Sequence, residues 1–205
     1  MRRLTVMAFG RTSAPADWLV VGLGNPGPEY DRTPHNVGFH VVGELARRWD
    51  LPKAKDKFAG RFTEGRATPP GVPGPRVAVL QPTTYMNDSG RSVGPARGAL
   101  KLPLDRVLVI HDEIDLPFGD IRVRLGGGLA GHNGLKSLKA HLGSADFLRV
   151  RVGVGRPDTT DRGVVSDFVL GRWRQSPAEV QDLVCAAADA AERVVLAPDD
   201  DPPAA

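Results

Sequence analysis

Two short, uninterrupted apolar runs constrain this chain most: residues 18–24 (WLVVGLG) and 106–111 (RVLVIH). A run of strand length with no polar alternation has no face to offer to water, so each reads as a strand covered on both sides. Val37, Val41, Val42, Leu45 and Trp49 recur at helical spacing and mark a helix over 36–50, with Asn36 as its N-cap. Residues 175–196 carry the strongest helix signal. Ser176 stands as N-cap, Pro177 at the first helical position and Glu179 as the capping-box acid, followed by the stripe Val180, Leu183, Val184, Ala187 and Val194. Helices are also expected over 89–101 and 133–142. Strands are expected over 76–80, 120–125 and 147–154, with a last edge strand over 165–170. Strands alternating with helices predict an α/β fold: a single three-layer domain, its mixed and mostly parallel twisted sheet flanked by helices. Ligands of such sheets bind outside the carboxyl ends of the strands.

The chain of 205 residues has one domain's length. The expected division is a disordered extension over 1–17, the α/β domain over 18–196 and an acidic disordered tail over 197–205. Residues 68–75 (TPPGVPGP) read as a loop between strands. The lone Cys185 excludes a disulfide framework and a thiolate metal cluster within the chain, which favours a reducing compartment and a cytoplasmic location. No apolar stretch approaches the roughly 20 residues of a membrane helix. The net charge of +3 hides an asymmetry: residues 179–205 hold seven acids and one base. The remaining body is strongly basic, which points to a polyanionic partner, although a solvated basic surface reads the same way.

Gly22-Leu-Gly24-Asn-Pro-Gly27 matches the dinucleotide fingerprint G-x-G-x-x-G directly after a strand. The context fails, because a helix must open at once to meet the pyrophosphate, and Pro28, Pro34 and PEYDRT intervene. The glycines read instead as a tight turn that presents Asn25. The other polar residues at the strand ends are His35, Asn87, His111, Asp112, His132 and Asn133. No G-x-S-x-G elbow and no H-E-x-x-H motif is present. His35, Asp112 and His132 have no metal-ligand spacing, so neither metal nor cofactor is expected. A histidine, a carboxylate and several amides suit hydrolysis by an activated water. Histidine takes the proton, the carboxylate orients the imidazole, and amides hold the carbonyl and its oxyanion. Any one of these asparagines also reads as turn or cap chemistry.

The segments LVVGLGNPGPEYDRTPHNVGF (19–39), QPTTYMNDSG (81–90), VLVIHDEIDLPFG (107–119), RVRLGGGLAGHNGLKS (122–137), FLRVRVGVGRP (147–157) and VSDFVLG (165–171) together resemble the bacterial-type peptidyl-tRNA hydrolase family. They run in the family's order. The resemblance implies hydrolysis of the ester between a peptide and the 3′-terminal ribose of tRNA, which recycles tRNA after aborted translation. It also implies a metal-free cytoplasmic monomer without cofactor, whose partner is peptidyl-tRNA, bound through its acceptor stem and 3′ end. His35 takes the place of the catalytic histidine and Asp112 that of its carboxylate partner. Asn25, Asn87 and Asn133 match the asparagines that hold the peptide end and the reacting group. Tyr30 and Met86 match residues lining the cleft near the terminal adenosine and peptide.

The tRNA half of the reading rests on arginines. Arg122 with Arg124, and Arg149 with Arg151, stand at i and i+2, which puts each pair on one strand face about 6.5–7 Å apart. Arg124 and Arg151 match the family's clamp for the 5′-phosphate and acceptor stem; Arg122, Lys136 and Lys139 extend the strip. Three positions depart from the family's pattern. Pro34 replaces an arginine, and Leu129 and Ala130 interrupt a glycine-rich loop. The alternative functional reading is a catalytically idle RNA-binding protein of the same fold, similar to an intron splicing factor. A small-molecule hydrolase is a further alternative, opposed by the arginine pairs.

Overall fold

The computed structural model describes residues 16–68 and 73–197. The expectations for 1–15 and 198–205, and for the centre of the 68–75 loop, lie outside these. Ala16 and Asp17, assigned from sequence to the extension, belong to the fold: Ala16 is buried and Asp17 exchanges two hydrogen bonds with the backbone of Arg76.

Seven strands form one sheet: β1 (Trp18–Gly22), β2 (Lys55–Lys57), β3 (Gly60–Arg66), β4 (Arg76–Pro82), β5 (Val107–Glu113), β6 (Ile121–Leu125) and β7 (Leu148–Gly153), in the order β2-β3-β4-β1-β5-β7-β6. The sheet is mixed, as expected. Parallel pairing is confined to the four central strands, β4-β1-β5-β7, and the other three pairings are antiparallel. β2 and β3 escape sequence reading because KDK and GRFTEGR hold one large apolar residue between them, Phe62.

The helices are α1 (Val37–Arg48), α2 (Gly90–Leu100), α3 (Asn133–Leu142), α4 (Arg162–Leu170) and α5 (Pro177–Leu196). Helix α5 carries the complete capping box between Ser176 and Glu179. The expected edge strand over 165–170 is instead part of α4. Its N-cap Asp161 accepts from the amides of Gly163 and Val164 at 2.7 and 3.1 Å, and Val165 and Val169 fall one turn apart on the same face.

The continuous apolar runs find the two covers they require. Trp18 and Val20 of β1, with Leu108 and Ile110 of β5, pack into the core under α1 and α5. Leu19, Val21 and Leu23, with Val107 and Val109, pack into the opposite core with α2 and α3. Successive residues point to opposite faces, so a strand buried on both must be apolar throughout. Gly22 and Gly38 lack the Cβ atoms that would strike neighbouring backbone, which lets the first turn of α1 lie directly on β1 and β5. Packing of helix on strand therefore explains the first glycine of the fingerprint-like motif.

Strand β1 pairs with β4 on one side and β5 on the other, so the chain reverses its direction of travel across the sheet at β1. The carboxyl ends of the parallel strands open there into a cleft, the position such sheets reserve for ligands.

Candidate active site

The cleft has a volume of about 760 Å³ and is lined by Asn25, His35, Met86, Asn87, Asp112 and Asn133, among others. Six of the seven residues expected to act on the peptide end are thus brought together from five separate chain segments. Tyr30 is the exception. It is half-buried in the turn before His35 and does not line the cleft, because its backbone, rather than its ring, anchors that turn through Thr33.

Asn25 follows β1 and is buried. Its backbone amide donates to Asn36 Oδ1 at 2.8 Å, and Asn36 Nδ2 donates back to its carbonyl at 2.9 Å. Asn25 Oδ1 accepts from the Met86 amide at 2.8 Å, which orients the side-chain amide and leaves Nδ2 as the donor for the cleft. The sequence predicts Asn36 as a helix N-cap. It stands at that position, but its side chain makes no cap bond and serves Asn25 instead. Nothing local in the sequence separates the two roles.

His35 lies in the 3-10 turn Pro34–Asn36, with Pro34 at its first position and Thr33 extended at φ −113° and ψ 149°. Proline pre-sets both conformations. His35 Nδ1 lies 2.8 Å from Asp112 Oδ1. With the proton on Nδ1, the lone pair of Nε2 is left for the cleft. Burial pushes this imidazole down, but the charge of Asp112 and the hydrogen bond to it outweigh burial and hold it above the ordinary range. Asp112, in strand β5, is buried, which favours the neutral acid. The adjacent His35 and His132 reverse that, and the carboxyl is held well below the usual range.

His132 Nε2 approaches the same oxygen, Asp112 Oδ1, at 3.1 Å. His35, Asp112 and His132 therefore do converge, each offering an atom within 4.8 Å of the others. Their hydrogen bonds set the chemistry. His132 is the N-cap of α3, and its Nδ1 accepts from the amides of Gly134 and Leu135 at 3.1 and 3.3 Å. An acceptor at Nδ1 carries the ring proton on Nε2, so Nε2 donates to Asp112 and has no lone pair to give a metal ion. The donor set fits a hydrogen-bonded carboxylate better than a metal site. His111, beside Asp112, is fully buried. Burial first and the neighbouring His132 second depress it to about 3, and its Nδ1 hydrogen-bonds the Asp112 carbonyl at 2.7 Å.

The rim has two characters. Lys136, Arg156 and Arg162 are basic, while Tyr85, Val165, Val169 and Leu170 are apolar. The sequence places Lys136 in the tRNA strip rather than at the cleft, and Arg162 escapes it because its helix, α4, overlaps the expected edge strand.

On the adjoining strands, Arg122 lies opposite Arg151 and Arg124 opposite Arg149, so four arginines share one face of β6 and β7. Like charges directly opposite destabilise a sheet. Arg151 is offset by Glu113 at 3.0 Å, and Arg122 and Arg124 are exposed. Arg149 corrects the expectation of two guanidiniums free for phosphates on β7. It is 2% exposed and donates to the carbonyls of Gly128, Gly127 and Ala145. A buried charge must be paired or hydrogen-bonded, and the glycine-rich loop supplies the acceptors. In that loop Leu129 packs against the core under α2 and α3, and Ala130 adopts φ +46°.

Fold and site together define an α/β hydrolytic enzyme built on a histidine–carboxylate pair among amide donors. The chain belongs to the peptidyl-tRNA hydrolase family, whose model matches residues 19–201. The peptidyl-tRNA hydrolase of Geobacillus kaustophilus is 50% identical over 182 residues, covering 88% of this chain and 94% of that protein. That of Kineococcus radiotolerans is 48% identical over 187 residues, covering 87% and 91%. The crystal structure of the Acinetobacter baumannii peptidyl-tRNA hydrolase is similar at a TM-score of 0.74 and 39% identity, over 89% of each chain.

Proposed function

We propose that the chain hydrolyses peptidyl-tRNA at the ester between the peptide and the 3′-terminal ribose, with His35 as the base. The observation that carries the reading is the His35–Asp112 pair at 2.8 Å beside three cleft asparagines. In this mechanism His35 Nε2 takes a proton from water, and Asp112 stabilises the imidazolium that forms. Water attacks the ester carbonyl. Asn25 Nδ2, pre-oriented by the Met86 amide, donates to the developing oxyanion, while Asn87 and Asn133 hold the peptide end. The imidazolium then returns its proton to the leaving 3′-hydroxyl. A general base supplies about 10²–10⁴ and one oxyanion donor about 10²–10³.

The exposed Arg122 and Arg124, with the partly exposed Arg151, support docking of the acceptor stem, whose phosphates would relieve the repulsion across β6 and β7. Among the described residues no helix is long and apolar enough to cross a membrane. In the proposed reading the protein acts as a cytoplasmic monomer on peptidyl-tRNA released from stalled ribosomes. A catalytically idle RNA-binding protein is not favoured, because relatives 48–50% identical over 182 residues are named peptidyl-tRNA hydrolases.

The test is release of a labelled N-acetyl-aminoacyl group from tRNA by wild type and His35→Ala, with and without EDTA. The expected result is EDTA-resistant release that falls by about 10²–10⁴ in the variant. Near-wild-type turnover by His35→Ala removes His35 as the base.

A further inference from the structure

We infer that His132 is a positioning residue: helix α3 fixes its tautomer, and its fixed N–H divides the charge of Asp112 between two imidazoles. The inference rests on His35 as the base and goes beyond it, because His132 touches neither substrate nor water in that mechanism.

The geometry is specific. His35 Nδ1 and His132 Nε2 address one oxygen, Asp112 Oδ1, at 2.8 and 3.1 Å. The His132 ring lies 5.0 Å from the His35 ring and 5.0 Å from the His111 ring. A free histidine chooses between tautomers, but His132 does not. Its Nδ1 caps α3 by accepting from two amides, so only Nε2 carries the proton. The cap thus aims one permanent donor at the carboxylate. A carboxylate oxygen that already accepts one hydrogen bond stabilises a second cation less. The His35 imidazolium is therefore held less firmly than Asp112 alone would hold it, and the neutral base is recovered at lower pH.

The other charged and titratable groups facing these rings do not take over this role. His111 on β5, depressed to about 3, stays neutral where the base works. Arg149 on β7 is committed to loop carbonyls. Lys136, Arg156, Arg162 and Glu113 line the same cleft, and Glu113 is paired with Arg151.

Two substitutions separate cap from donor. His132→Asn keeps a favoured N-cap acceptor and withdraws the donor from Asp112. His132→Gln keeps a terminal N–H and gives up the cap. Titration of the His35 ring protons by NMR reads the effect without activity, and the acid limb of kcat/KM reads it in turnover. His132→Asn is expected to raise both midpoints by roughly half a unit to one unit. His132→Gln is expected to leave both midpoints in place and lower Tm. The inference is overturned if His132→Asn leaves the NMR midpoint unmoved, or if His132→Gln moves it as far. His132→Ser, with its hydroxyl cap, repeats the first arm should the asparagine variant not fold. A moved NMR midpoint with an unmoved kinetic limb would instead remove His35 as the base.

Discussion

Asn36 and Asn25 close a reciprocal pair, side-chain amide against main-chain amide, at 2.8 and 2.9 Å across eleven residues of chain. Both residues are buried. The pair ties the start of α1 to the segment that follows β1, and His35 immediately precedes the tied Asn36. Asn36→Ala leaves a buried N–H and a buried carbonyl unpaired, which costs about 1–3 kcal/mol for each group so stranded. It also frees the segment that carries Asn25 Nδ2. Denaturant unfolding is expected to show the stability loss, and single-turnover release a lowered chemical rate. An intact rate in a destabilised protein would mean that the pair serves the fold alone.

With His35 as the proposed base, the pH dependence of turnover follows from its surroundings. Burial lowers this group, but Asp112 raises it further, to above its ordinary 6.5. The base works when neutral, and its neutral fraction falls as pH drops through the raised value. The acid limb of kcat/KM is therefore expected above 6.5. Stability runs the other way. A group whose folded value exceeds its unfolded value stabilises the fold below the unfolded value, and that contribution is lost as pH rises through the folded one. A pH–rate profile beside a pH–Tm profile checks both signs.

The four arginines of β6 and β7 divide into two classes. Arg124→Ala and Arg151→Ala are expected to weaken tRNA binding and reduce the slope of log K against log salt by about one each. Arg149→Ala is expected to leave that slope near wild type while lowering Tm and kcat, because its guanidinium holds the Gly127 and Gly128 carbonyls of the loop leading to His132. Filter binding at several salt concentrations separates the classes. Equal slopes for all three variants would place Arg149 in the phosphate clamp.

Ala130 holds φ +46°, a conformation in which its Cβ crowds the following carbonyl. Ala130→Gly removes that crowding and adds freedom to the unfolded chain, two effects of opposite sign. The strain is the larger, so a gain of about 0.5 kcal/mol is expected. A lowered Tm would show that the loop tolerates the left-handed residue without strain.

Much of the fold was legible because its signals are local. Two-sided burial leaves an uninterrupted apolar run in β1 and β5, and a capping box writes itself as Ser176 and Glu179 whatever the helix packs against. Asp161 was an equally local cap. It is masked by VSDFVL, a short run rich in β-branched and aromatic residues that reads as an edge strand, although Val165, Phe168 and Val169 recur at the i, i+3, i+4 spacing of a helix. Strand β3 was missed for the converse reason: its pairing with β4, rather than its own apolar content, holds it in the sheet.

The chemistry divides along the same line. Residue identity by itself determined the catalytic class, since His35, Asp112 and the asparagines are the groups an activated water needs, and their motifs carry the family. Tertiary structure alone decided what each group does. The sheet switch at β1 brings Asp112 of β5 to His35. The packing of α1 turns Asn36 from a cap into a brace, and the glycine-rich loop draws Arg149 inward from the strip. The start of α3 aims one histidine proton at Asp112. These are hydrogen bonds between residues far apart in the chain. Their partners are chosen by the distance the fold creates, which no spacing along the sequence records.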